Sequence, residues 1–195
     1  MRIIGARDQS AACEMLSEDP ELARITLAKG ATRATADEFF LAECHAHIYA
    51  GSTALHVAAF AYDIVIARRL IHDGADVRAK DRRGAEPLHA AVNGAPGTQY
   101  WRPREQVAMI LYLIESGADP NAAASGGVTA LHRAVRNRCS SAVRALLDAG
   151  ADPAQPNKSG STALTLAAWT TGRSGSGSPE ARYEQEAILH LLRTG

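Results

Sequence analysis

Thr53-Ala54-Leu55-His56 decides the reading of this chain because it comes back, as Glu86-Pro87-Leu88-His89, as Thr129-Ala130-Leu131-His132 and, weakened, as Thr162-Ala163-Leu164-Thr165. The starts of these four segments lie 33, 43 and 33 residues apart. A second tag runs in step with the first: Gly74-Ala75-Asp76, Gly117-Ala118-Asp119 and Gly150-Ala151-Asp152, spaced by 43 and 33 residues. Each of these glycines precedes the next first tag by 12 residues. One ten-residue insertion outside that interval, Ala95 to Arg104, therefore reconciles both series.

A period near 33 with T-P-L-H-like and G-A-D-like tags resembles the ankyrin repeat, and the resemblance covers most of the chain. It implies an all-α solenoid of about five stacked helix-turn-helix units with protruding loops or β-hairpin fingers, the first and last units acting as caps. The residues between the tags agree. Ala58-Ala59 and Ala167-Ala168 let neighbouring helices approach closely, and Ile64, Ala67, Leu70 and Ile71 recur at helical spacing. The glycine of the second tag supplies the left-handed residue that ends the second helix. Composition fits thin alanine and leucine packing: 46% of the 195 residues are hydrophobic and only 5% aromatic.

The expected organisation is a single domain. Residues 1–47 form an N-terminal capping repeat with a helical insertion in its finger, 48–80, 81–123 and 124–156 are central repeats, and 157–195 form the C-terminal cap. In the first unit a helix is expected from Asp8 to Leu16, a second after Asp19-Pro20 through Leu22, Ile25 and Leu27, ending at Gly30-Ala31. Thr35-Ala36-Asp37-Glu38 reads as a capping box that opens a finger helix through Phe39, Phe40, Leu41, Cys44 and Ile48. The last unit interrupts its helix pair with Thr171 to Ser178, a glycine-serine stretch, and Pro179 opens its final helix. Both inter-helix insertions are expected on one edge of the stack, opposite the fingers.

The recurring His56, His89 and His132 occupy one repeat position, so they are assigned a structural role, bonding backbone of the adjoining finger. In proteins that resemble this one, partners meet the fingertips and the exposed face of the first helices. That resemblance implies a protein-binding module or scaffold, with Tyr49, Phe60, Arg82, Arg83, Asn93, Arg136, Asn137, Lys158 and Trp169 at the contacting positions. Tyr100 and Trp101, in the third unit's insertion, either close their own loop or join that contact surface. The partner is expected to be a protein, and the chain to be a cytoplasmic monomer.

Other chemistries find less support. With 21 basic and 21 acidic residues the chain lacks the bulk positive charge of a general nucleic-acid binder. Cys13, Cys44 and Cys139 show no paired spacing, which favours a reducing compartment. No segment is long and apolar enough to span a membrane. Cys44-His45-Ala46-His47 offers at best two metal ligands in one direction on the expected helix, short of the three or four that zinc takes. No nucleophile elbow, phosphate-binding loop or zinc-protease helix occurs, so no enzyme and no cofactor are expected. The alternative is a small-molecule-binding or catalytic site assembled from the insertions around His45, His47, Tyr100 and Trp101.

Overall fold

A computed structural model of the chain describes residues 1–173 and 178–194, the side chains of 169–173 excepted. Among the described residues five helix pairs stack side by side: α1 (Arg2–Gly5) with α2 (Gln9–Glu18), α3 (Ala54–Ala61) with α4 (Ile64–His72), and α5 (Pro87–Ala91) with α6 (Pro103–Glu115). They continue as α7 (Ala130–Arg136) with α8 (Ser140–Asp148) and α9 (Ala163–Arg173) with α10 (Pro179–Thr194). First helices pack on first helices and second on second, in the order α1, α3, α5, α7, α9 and α2, α4, α6, α8, α10. The alanines make this close packing possible: Ala58, Ala59, Ala91, Ala134 and Ala167 are fully buried between neighbours.

Each tag has a local physical task. Thr53 and Thr129 cap α3 and α7, accepting from the amides of His56 and His132. Each tag histidine then faces two ways. His56 Nδ1 accepts the Thr53 amide at 3.1 Å, so its proton sits on Nε2, which donates to the Ala85 carbonyl of the next finger at 2.9 Å. His89 repeats this with the Glu86 amide and Val128 carbonyl, and His132 with Thr129 and Ser161. The expected structural role of these histidines is a bridge from one repeat to the next.

The second tag closes a helix and starts a turn. Gly74, Gly117 and Gly150 have φ of 92°, 105° and 88°, and the following alanine amides bond back to Leu70, Leu113 and Leu146. The aspartates then accept from the amide two residues on, Asp76 from Arg78, Asp119 from Asn121 and Asp152 from Ala154.

The first unit departs from expectation in three ways. The helix expected through Leu22, Ile25 and Leu27 is a single 3-10 turn, Pro20–Ala23, after which the chain runs extended, because Thr26 bridges to Thr53 and Leu27 exchanges backbone bonds with Gly51 and Ser52. The second helix of this unit is α2, which ends ahead of Asp19, so Gly30 terminates nothing. A Cβ on Gly30 would lie 2.3 Å from the backbone of Tyr49 and Ala50, and its absence lets the two arms of the first finger touch.

The finger helix expected from Thr35 to Ile48 is a hairpin. After the 3-10 turn Asp37–Phe39, β1 (Phe40–Leu41) pairs antiparallel with β2 (Ala46–His47). The Thr35 hydroxyl accepts from Thr32 and reaches the Gly30 carbonyl instead of capping a helix. Pairing Leu41 with Ala46 buries both, Leu41 beside Gly5 of α1, and leaves Phe40 with His47 on the other face, so burial overrides the helical spacing. The only other strands among the described residues, β3 (Ala123–Ala124) and β4 (Val128–Thr129), form the fourth unit's finger.

Candidate functional site

Backbone bonds tie the fingers into one platform. Arg82 N donates to the Ala50 carbonyl at 2.7 Å, Ser125 N to Arg83 at 2.8 Å, and Lys158 N to Gly126 at 2.8 Å. Tyr49, Arg82, Arg83 and Lys158 are thereby held in fixed relation without any bound partner. Asp81 sets the tip between them: its buried Oδ1 accepts from the amides of Arg83 and Ala85 at 2.8 and 2.9 Å.

The densest cluster lies where the second and third fingers meet. The guanidinium carbons of Arg82 and Arg83 stand 5.2 and 4.9 Å from the centre of the Tyr49 ring, within cation–π range. Arg83 Nη1 also donates to the Tyr49 hydroxyl at 3.0 Å, and Arg82 Nη2 to the Ala31 carbonyl at 2.5 Å. These contacts enclose an open groove of about 550 Å³, lined by Ala31, Thr32, Arg33, Ala36, His47, Tyr49, Arg82 and Arg83. Behind it, Arg133 on α7 reaches the His89 carbonyl at 3.3 Å. Burial first, then the charges of Arg83 and, more weakly, Arg136, push the Arg133 guanidinium below its ordinary pKa, against the opposing pull of Asp81 and Tyr49.

The remaining candidates are spread over other parts of the molecule. Arg136 and Lys158 are exposed, but Asn137 donates its amide to the Val92 carbonyl at 3.0 Å and so serves the α5–α7 contact. Trp101 is half-buried, with its indole N–H on Gln106 Oε1 at 3.0 Å, which closes its own loop. Tyr100 is 41% exposed and stacks on His45, ring centres 5.1 Å apart and 14° from parallel. The finger hairpin thus turns back to meet the third unit's inter-helix insertion, which was expected on the edge opposite the fingers. The side chain of Trp169 and the stretch from Thr171 to Gly177 lie outside the described residues, apart from the α9 backbone through Arg173.

Between hairpin and insertion is a second cavity of about 260 Å³, lined by Cys44, His45, Phe60, Tyr62, Asn93, Gly94, Ala95, Thr98 and Tyr100. Tyr62 donates its hydroxyl to the Asn93 carbonyl, and Gln106 Nε2 bonds the carbonyls of Ala91 and Asn93 at 3.2 and 3.4 Å. His47 is apart from this cavity. It packs on Phe40, ring centres 4.9 Å apart, and faces the arginine groove. Cys44 and His47 therefore do not share a helix face, and among the described residues no group of three metal-binding side chains converges. Burial pushes the Cys44 thiol up to about 11 and Cys139 up to about 12, so neither is a thiolate nucleophile at neutral pH.

Arg33 and the groove wall it belongs to escaped the sequence reading. The repeat pattern places residues only where the chain follows the repeat, and the first finger, which carries Arg33, does not.

No helix among the described residues is long and apolar enough to cross a membrane. A stretch of 95 residues, 49% of the chain, is 38% identical to the Ankyrin repeat and SOCS box protein 16 of Mus musculus; it spans 20% of the length of that relative. The family model for ankyrin repeats in three copies matches residues 11–124, and that for ankyrin repeats in many copies matches 113–167. With paired helices, linked fingers and both recurring tags in place, the chain belongs to the ankyrin-repeat family.

Proposed function

We propose that the chain is a protein-binding module whose partner docks on the fingertip platform and the adjoining faces of the first helices. The observation that carries this reading is the backbone ladder from Ala50 through Arg82, Arg83, Ser125 and Gly126 to Lys158. It presents Tyr49, Arg82, Arg83 and Lys158, with Arg136 supplied by α7, on a surface ordered in advance, so little entropy is lost on docking. Tyrosine and arginine are the side chains that most often dominate interface energies, because each joins large contact area to a directional polar group.

Phe60 and Tyr100 extend the same reading toward the hairpin, while Asn93, Asn137 and Trp101 support the surface through the bonds that fix α5 and its loop. Capture from native extract with the intact chain and with an Arg83→Glu, Arg136→Glu variant, each shown folded by circular dichroism, tests the proposal. A protein retained by the first and reduced about tenfold or more with the second is the expected result, the loss expected when charge-assisted bonds are removed. Equal recovery with both chains would refute this face as the docking surface.

A further inference from the structure

The groove at the Tyr49 cluster has a chemistry specific enough to name its occupant. Its rim carries Arg33, Arg82 and Arg83, all exposed, and its floor is Ala31, Ala36 and the half-buried Tyr49 ring. Among the described residues none of these three arginines, nor Arg133 or Arg136, lies within ion-pair distance of a carboxylate. Three guanidinia line one groove, and the Asp81 carboxylate near them already accepts from the amides of Arg83 and Ala85.

We propose that this groove binds an acidic peptide segment in which carboxylates flank an apolar side chain. The inference rests on the protein-binding reading above and names the chemistry of the partner. Arginine forks match carboxylates in bidentate geometry, and the two guanidinia stacked on Tyr49 are already oriented, so little side-chain freedom remains to be lost. The volume of about 550 Å³ falls within the range of ligand pockets, but the groove is open to solvent, which suits a peptide segment better than an enclosed small molecule. The apolar floor gives an aliphatic side chain a place between the charges. A carboxylate at Arg83 also relieves the repulsion that Arg83 exerts on Arg133. A nucleic acid fits less well, since its affinity comes from many phosphate contacts and the chain as a whole is neutral.

The probe is a fluorescein-labelled peptide of glutamate and aspartate interspersed with leucine, followed by anisotropy against the full chain. Its glutamine and asparagine counterpart and a labelled single-stranded oligonucleotide are run beside it. The acidic peptide is expected to bind, to weaken as salt rises, and to bind about tenfold or more weakly to Arg83→Gln and to Arg33→Gln. Neither arginine side chain serves the core, so both variants are expected to keep the circular dichroism of the parent; should one not, the other carries the test. Equal binding of the amide peptide, tighter binding of the oligonucleotide, or no binding of the acidic peptide overturns the inference. If a captured protein partner is still lost on Arg83→Glu, Arg136→Glu substitution in that case, the protein-binding reading stands while the acidic-segment inference falls.

Discussion

Replacing Leu131 with alanine is expected to destabilise the stack by about 2–5 kcal/mol, whereas the same change at Leu164 is expected to cost about 1 kcal/mol or less. The two leucines hold the same position in the recurring tag, yet Leu131 is 1% exposed on α7, which packs against α5, α8 and α9, and Leu164 is 39% exposed. Removing the buried side chain loses its transfer free energy and leaves a cavity that the helices on either side cannot close without breaking their own contacts. Urea denaturation followed by helical circular dichroism measures both. Comparable losses at the two sites would mean that burial in the stack is not what holds the repeats together.

A second large effect concerns pH. Burial is the leading cause that lowers the proton affinity of His56 and His89, the latter to about 4. In the unfolded chain both histidines take up a proton near pH 6.5, while the folded protein refuses it. Stability from the neutral rings is therefore complete above pH 6.5 and is lost as pH falls toward 4, by about 3 kcal/mol for His89 alone. Glu86 works in the opposite direction. Burial raises its carboxyl pKa, so the folded chain holds that proton more readily than the unfolded one and acid favours the fold. Urea midpoints at pH 7 and near pH 4.5 give the net fall. A His89→Gln chain, which keeps a donor for the Val128 carbonyl, is expected to show a much shallower fall, and an unchanged slope would show that the ring does not carry it.

The architecture was legible because its cause is periodic. Leu55, Leu88 and Leu131 are buried at matching positions, and Gly74, Gly117 and Gly150 adopt the left-handed conformation the tag requires. Where the chain leaves the period, the same reasoning went astray. Thr35 to Ile48 has helical spacing of apolar residues, but Leu41 is drawn to Gly5 of α1 and pairs with Ala46 across a hairpin, a tertiary demand that no local pattern encodes. The site divides along the same line. Tyr49, Arg82 and Arg83 could be placed by repeat position, and the groove they share with Arg33 arises only from the fold of the irregular first finger. Trp101 left two readings open in the sequence, and its bond to Gln106, buried on α6, is a contact across its own loop that the repeat pattern did not foretell.

The proposed partner protein is expected to dock on the finger platform and the first helices. Amide hydrogen exchange of the chain alone and with its captured partner tests this most directly, since it reads every segment of the stack at once. Slowed exchange at residues 47–50, 82–84, 125–127 and 133–137, with α4, α6 and α8 unchanged, is the predicted result. Protection confined to α4, α6 and α8 would place the partner on the opposite face and contradict the account.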